Sequence, residues 1–448
     1  MSLQRSVVTA GALAGLLIVS FAFGGGGSRF GVANLTVQLA GLIALGACLH
    51  AALDFWKRAP LTLRTLALSC VMLPILQLIP LPSSLAEVLP GRELAIRTYD
   101  LAAIDAAMPF SLYPLRTALA ASALITPLAV LMLGWNTVRN HLFNLGWVIV
   151  LMGIIAFILG ALQLLDGAGR YDFWPEGLHK GVLKGPFANR NTAGLYLVGA
   201  LGFALLLPAP RQHKAVALVR LSSATMILAA IIATQSRTAL VLSAIPLLLG
   251  LLSFALNGPR TIRHETPQRR TLISGVVIAL VLAVFSTAVV VAPGRLADTI
   301  ERFEGVEGDA RRFIWEDATY SASRYWPAGA GMGTFDDVFQ LDEAIENIAS
   351  GRRAGRAHNE YIEVAIEAGV VGLALIAAWL AYIGWLTWQA RRSADRWAAW
   401  AASGFLLAVA LQSITDYPLR NQTMLAMVAF ALMLLVRIAN PRPHEQCA

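Results

Sequence analysis

Charged residues and cysteines are scarce in this sequence. Asp, Glu, Lys and Arg together make up 14% of the 448 residues, against about 25% in soluble domains. The three cysteines, Cys48, Cys70 and Cys447, cannot form a disulfide framework, because two of them fall inside long apolar stretches. No nucleic-acid-binding motif accompanies the net charge of +8. These absences argue against a soluble domain, a disulfide-stabilised secreted protein and a nucleic-acid-binding protein.

Long apolar blocks take the place of the missing charge. Of all residues, 57% are hydrophobic, and they gather in blocks of about 17 to 25 residues, the length with which an α-helix crosses a bilayer. No block alternates like a barrel strand, so helices must satisfy the backbone hydrogen bonds. No cleavage site follows the first block, so we expect it to be retained. We predict an all-α integral membrane protein with about twelve transmembrane helices, at 7–23, 34–53, 64–80, 117–134, 143–165, 192–208, 216–234, 238–255, 272–292, 361–387, 397–415 and 421–438.

The distribution of Lys and Arg predicts the orientation of these helices. With the N-terminus inside, short connections rich in basic residues, such as 57–64 and 391–396, lie in the cytoplasm, as the positive-inside bias requires. Both termini are then cytoplasmic. The three longer connections lie outside, at 81–116, 166–191 and 293–360.

Three arginines stand beside span ends on this outer side: Arg190, Arg237 and Arg356. Charge at membrane depth is costly and usually faces a cavity, and guanidinium groups bind phosphate oxygens in a bidentate manner. We therefore predict a phosphate-bearing, lipid-linked substrate. The alternative is that these are ordinary outer-loop residues, and Arg237, in the segment TQSRTAL at 234–240, would then reach phospholipid headgroups.

The segment KGPFANRNTAGLYL, residues 184–197, joins an outer loop to a span. Asn191 or Thr192 is predicted to cap the helix that follows, whose N-terminal dipole favours an anion. The alternative is a plain helix start, with Lys184 and Arg190 extended towards the headgroups.

The long outer loop contains one clear helical pattern. The apolar and aromatic residues Phe313, Ile314, Ala318 and Tyr320 predict a helix of about four turns. Pro327 and the glycines that follow it are predicted to end this helix. The sequence GAGMG lacks the strand and helix of a dinucleotide-binding fingerprint, so we interpret it as a turn.

His358 ends this loop, at the start of the next apolar block. A lone histidine at a span boundary more often contacts headgroups or caps a helix than acts as a catalyst. Here Arg356 and Asn359 flank it on the predicted basic side, and the helix it precedes carries three glutamates on one face: Glu360, Glu363 and Glu367.

At these residues the sequence resembles the O-antigen ligase and polysaccharide polymerase superfamily of bacterial envelope enzymes, most strongly from about 184 to 386. The ligases carry a histidine, a polar residue and two small residues at a fixed spacing, which His358, Asn359, Gly369 and Gly372 match in full. An arginine four residues before a tryptophan is matched by Arg311 and Trp315, and an arginine at a span edge by Arg237. The segment around Arg190 is similar to the polymerases as much as to the ligases.

The resemblance implies a metal-independent, inverting glycosyltransferase of the membrane-embedded C type that needs no cofactor. It implies a glycan on undecaprenyl diphosphate as donor, and a sugar hydroxyl of lipid A core or of a growing polysaccharide as acceptor, on the periplasmic side of the bacterial inner membrane. His358 would accept the acceptor's proton, because histidine titrates close to neutral pH. Arg311 and Arg237 would hold the diphosphate. The candidate substrate-binding residues are Arg190, Lys184, Asn191, Asn359, Arg312, Arg356 and Glu367.

Two other functions compete with a ligase. A polymerase that joins repeat units would use the same chemistry and differ only in its acceptor. A flippase or transporter for lipid-linked glycans would also use many spans and a basic cavity, but it should show paired repeats or ionisable residues near the midplane, and neither is clear. We divide the chain into N-terminal helices at 1–183, a ligase-like core at 184–388 and C-terminal helices with a cytoplasmic tail at 389–448.

Overall fold

The computed structural model describes residues 3–166, 169–174, 181–209, 216–257, 311–345 and 354–441. In the first half of the chain its helices are α1 Leu3–Phe23, α2 Gly31–Ala47, α3 Leu49–Arg58, α4 Leu61–Leu76, α5 Ser83–Ala86, α6 Glu93–Leu101, α7 Pro114–Ala123, α8 Ile125–Asn136 and α9 Arg139–Asp166. In the second half they are α10 Arg190–Leu206, α11 Val216–Ala233, α12 Arg237–Leu242, α13 Ala244–Asn257, α14 Arg311–Tyr325, α15 Phe335–Asp342, α16 Glu360–Ala390, α17 Arg396–Gln412 and α18 Gln422–Ala439.

The described part of the chain is consistent with an all-α membrane protein. Within it, seven helices are long and apolar enough to span a bilayer, or eight if the bent pair α2 and α3 counts as one span. The predicted count of twelve is not confirmed, because the predicted spans 64–80, 192–208 and 397–415 form helices of only 16 or 17 residues. The predicted span 34–53 is divided by an 82° bend between α2 and α3. The predicted span 272–292 lies outside the described residues.

Two helices form the centre of the bundle. Almost every side chain of α10 and α18 is buried, and α10 packs against α9, α11, α13 and α17, while α18 packs against α8 and α17. Small residues permit this close approach: a Cβ at Gly199 would lie 2.5 Å from Met427 Cε and from Phe405.

The described parts of two predicted outer loops, 81–116 and 293–360, contact each other, because Leu112 N–H donates to Ala330 O (2.8 Å). Strands β1 Pro80–Leu81 and β2 Met108–Pro109 pair antiparallel and close the connection between α4 and α7. Helix α14 ends at Tyr325, as predicted from Pro327, and packs with α15 around a second apolar cluster that includes Tyr325, Phe335 and Phe339.

The glycine-rich turn after α14 docks into a break in α16. Gly369 adopts φ 55° and ψ −142° inside that helix, so the carbonyl groups before it lack their usual helical partners. The turn supplies them, because Ala330 N–H donates to Ile366 O (2.8 Å) and Gly331 N–H to Glu367 O (2.9 Å). In return, Val370 N–H donates to Pro327 O (3.0 Å). The glycine-rich turn is thereby fixed to the second and third turns of α16.

Candidate active site

His358 lies two residues before the first residue of α16 and has a left-handed backbone conformation, with φ 52°. Asn359 caps the helix, since its side-chain oxygen accepts from the N–H groups of Tyr361 (3.0 Å) and Ile362 (3.1 Å). The side chain of His358 is 33% exposed. Asn359 thus fixes the start of the helix and leaves the imidazole facing outward, in a strained geometry of the kind that clusters at functional sites.

Asp416 is the acidic neighbour of this histidine. Its Oδ1 lies 3.4 Å from His358 Nδ1, an ion-pair contact, and within the described residues neither atom has a hydrogen-bond partner. Burial alone would raise the pKa of the Asp416 carboxyl, but the adjacent His358 brings it below its ordinary value. The ring of Tyr417 completes the surroundings, with its centroid 5.0 Å from that of the imidazole.

A hydrogen-bond network connects Asp416 to the two polar segments of the sequence. Asn189 Nδ2 donates to Asp416 Oδ2 (3.3 Å), and Asn189 Oδ1 accepts from Asn191 N–H (2.8 Å). Asn191 Oδ1 in turn accepts from the Ser236 hydroxyl (2.9 Å). The prediction that Asn191 or Thr192 caps the helix was wrong, because Asn189 is the cap.

Arg190 and Arg237 are therefore brought to one end of the bundle. Each is the first residue of its helix, α10 and α12 respectively, and each is partly buried. A basic residue at a helix N-terminus adds to the positive end of the helix dipole. At the start of α10, a helix of 17 residues, the charge of Arg190 and the helix dipole together favour an anion near the Asp416 network.

Helix α14 approaches the histidine from the outer loop. Trp315 Nε1 donates to Ala357 O (2.8 Å), one residue before His358. Arg311 lies one turn before Trp315 on the same face of α14 and is partly buried. Arg311 therefore lies on the face of α14 whose Trp315 contacts Ala357.

The three glutamates of α16 surround one partly buried arginine. Arg420 Nη2 lies 2.8 Å from Glu367 and 3.3 Å from Glu363, and its Nε lies 3.8 Å from Glu360. Burial alone would lower the pKa of Arg420, but the carboxylates raise it above its ordinary value. Arg420 follows Asp416 in the turn between α17 and α18, so this ion cluster holds that turn, and with it the aspartate, against the start of α16.

A comparison with known families concerns the middle of the chain. Residues 221–377 match the family model described as O-antigen ligase. This segment belongs to the O-antigen ligase and polysaccharide polymerase superfamily. No curated protein matches the chain.

The O-antigen ligase segment does not contain the whole site. It includes Arg237, Arg311 and His358, whereas Asn189, Asp416 and its turn lie on either side of it. The sequence interpretation missed Asp416, Tyr417 and Arg420. The signal was present, because an acidic, an aromatic and a basic residue stand in a short turn between two apolar blocks on the predicted outer side.

The other predicted substrate-binding residues occupy different surroundings. Lys184 is buried, and its Nζ lies 3.2 Å from Asp172 Oδ1. Glu367 is completely buried, with Arg420 on one oxygen and Phe335 N–H (3.3 Å) on the other. Arg312 is exposed on α14. Arg356 reaches the site border, where it pairs with Glu363 at 3.1 Å.

Metal ligands are not grouped in this region. In the described ranges, no set of three or more His, Cys, Asp or Glu side chains could hold a metal ion. Metal independence stays a prediction.

Proposed function

We propose that this protein is an O-antigen ligase-like glycosyltransferase. It moves a glycan from undecaprenyl diphosphate to a sugar hydroxyl of lipid A core, with inversion, without a metal, and on the periplasmic face of the bacterial inner membrane. Both termini are cytoplasmic in this proposal. The observation that carries it is the pairing of His358 with Asp416 at one end of a bundle that also collects Arg190 and Arg237.

The geometry suits His358 as a general base. With Asp416 facing Nδ1, the proton of the neutral ring is held at Nδ1, and Nε2 is left to accept a proton. The acceptor oxygen attacks the anomeric carbon of the donor sugar and gives its proton to Nε2, while the bond from that carbon to the diphosphate oxygen breaks. The released diphosphate keeps the electron pair of that bond, and Arg237, Arg311 and Arg190 stabilise its charge.

His358→Ala tests this role. Transfer should be abolished while the protein still inserts and folds, because a partly exposed histidine contributes little packing. His358→Lys should fail as well, since an ammonium group cannot accept a proton. His141→Ala is the matched control, because His141 lies at the start of α9, on the predicted cytoplasmic side, and its loss should leave transfer unchanged. An unaltered product from His358→Ala would remove the base assignment.

A polymerase is the second candidate, and the family match supports it equally. The length of the product separates the two, because a ligase adds one finished glycan to its acceptor whereas a polymerase yields a ladder of repeat units. Purified protein given donor and lipid A core, or donor alone, should therefore form a product only with lipid A core if it is a ligase. A polymerase would form a ladder in both reactions. Movement of the donor across the bilayer without a new glycosidic bond would instead favour a transporter.

A further inference from the structure

The turn between α1 and α2 forms an additional wall of the candidate site. It contains four glycines, Gly24 to Gly27, and passes between two segments of the site. Ala188 N–H donates to Gly25 O (3.0 Å). A Cβ at Gly25 would lie 2.1 Å from Pro186 O, and a Cβ at Gly24 would lie 2.7 Å from Thr423 N. Only glycine permits this approach, because the obstructing atoms belong to the backbone.

This turn places a second pair of arginines near His358. Arg356 donates to the hydroxyl of Ser28. A Cβ on Gly355 would lie 3.0 Å from Arg29 Nη2 and 3.7 Å from Asp336 Oδ1, so the Arg29 guanidinium lies against the backbone next to Arg356. Arg29 is exposed.

We call Arg29, Arg356 and Tyr417 the Arg29 corner. The Arg356 guanidinium lies 5.8 Å from the Tyr417 ring, whose centroid is 5.0 Å from that of His358. The corner thus reaches the histidine through Tyr417, whereas Arg190 and Arg237 are connected to it through Asp416 and the asparagines. The two sets of arginines approach His358 through different neighbours.

The charges at the corner leave room for an anion. Arg356 shares Glu363 with Arg420, and Asp336 also faces Arg116 at 3.7 Å. Each guanidinium has five N–H donors, so one shared carboxylate does not use them all. An oxyanion at the corner would accept from an exposed and a half-buried arginine next to the proposed base.

We propose that the Arg29 corner binds a phosphate or carboxylate group on the acceptor glycan. This assignment rests on the proposed function, in which the other arginines hold the donor diphosphate. Inversion requires the acceptor to approach the anomeric carbon from the side away from that diphosphate, so the acceptor needs contacts of its own near the base. The Arg29 corner supplies them for an acidic sugar, and an acceptor without an anionic group gains nothing from it.

Binding of small anionic sugars tests the corner without turnover. The full chain in phosphatidylcholine nanodiscs is titrated with glucose 6-phosphate, glucuronate and, as the neutral probe, glucose. Glucose 6-phosphate or glucuronate should bind more tightly than glucose, and Arg29→Ala should weaken that binding about tenfold, the size of one lost charge-assisted contact. Arg97→Ala, an exposed arginine on α6, is the control and should bind as the wild type does. Arg237→Ala should retain the binding.

Several results would overturn the inference. These are no preference for either anionic sugar, equal binding in Arg29→Ala, and loss in Arg237→Ala alone. In a transfer assay, Arg29→Ala should raise the KM for an anionic acceptor with the donor KM unchanged, and a rise in the donor KM instead would contradict the acceptor assignment. If Arg29-dependent binding is found but no acceptor is glycosylated, the anion site stands and the proposed function fails.

Discussion

Replacing Gly369 with alanine should destabilise the protein and abolish its activity. The backbone there has φ 55° and ψ −142°, a combination that side chains rarely adopt. A Cβ would lie 1.9 Å from Pro327 O and 2.6 Å from Pro327 C. Because both atoms belong to the backbone, the added methyl group can be accommodated only if the glycine-rich turn moves away from α16.

The expected loss follows from what the turn would give up. The backbone conformation costs alanine about 1–3 kcal/mol. A displaced turn also loses three hydrogen bonds between the turn and α16, worth about 1 kcal/mol each: Val370 N to Pro327 O, Ala330 N to Ile366 O and Gly331 N to Glu367 O. The total is about 4–6 kcal/mol, which is large for a single substitution.

Gly384→Ala provides the matched control on the same helix. A Cβ at Gly384 meets nothing within 4 Å, so alanine should stabilise α16 by up to about 1 kcal/mol. Thermal unfolding of both variants in one detergent should show a midpoint several degrees lower for Gly369→Ala and unchanged or higher for Gly384→Ala. Equal midpoints, together with retained transfer by Gly369→Ala, would refute the docking of the turn into the break.

The remaining predictions concern charge around the histidine. Asp416→Asn should reduce transfer roughly 10²-fold, because the orientation of the base depends on the carboxylate. This variant should also lose less stability on acidification than the wild type does. The folded state lowers the pKa of the Asp416 carboxyl below its ordinary value of 3.8, so the carboxylate stabilises the folded protein above pH 3.8 and ceases to do so as the pH falls through the folded pKa. Identical acid unfolding curves for the two proteins would contradict this. Arg237→Lys and Arg311→Lys should each have a higher donor KM than the wild type, because lysine offers a point charge in place of a planar guanidinium. Full activity in both variants would mean that a point charge is sufficient to hold the diphosphate. Transfer should run at full rate in excess EDTA. Loss of activity in EDTA that Mg²⁺ or Mn²⁺ restores would mean that a metal, and not the arginines, stabilises the leaving diphosphate.

Local chemistry made parts of this structure predictable from the sequence. The end of α14 near Pro327 depends on residues adjacent in the chain, as does the start of α16 beside His358. The glycine-rich segment was also correctly interpreted as a turn, but its docking site in α16 was not foreseen, because that contact joins distant segments.

Long-range packing decided what the sequence could not reveal. The spacing of Glu360, Glu363 and Glu367 identified a shared face, yet it could not identify Arg420 as the group that faces it. The contact of Asp416 with His358 likewise exists only because α17 returns the chain beside the start of α16. The predicted span count stays unconfirmed for a related reason: a buried helix such as α10 is apolar through its contacts with protein, so composition alone does not measure its length in lipid.

The buried ion cluster also constrains the order in which the protein can be completed. Arg420 is synthesised 53 residues after Glu367, which at about 5–20 residues per second leaves α16 without that arginine for roughly 3–11 s. Carboxylates inside a bilayer are costly without their partner, so we expect the start of α16 to be fully stabilised only after Arg420 has been synthesised. Ribosomes that stop before Arg420 should therefore leave chains in which α16 is inserted less stably than in chains that extend through α18.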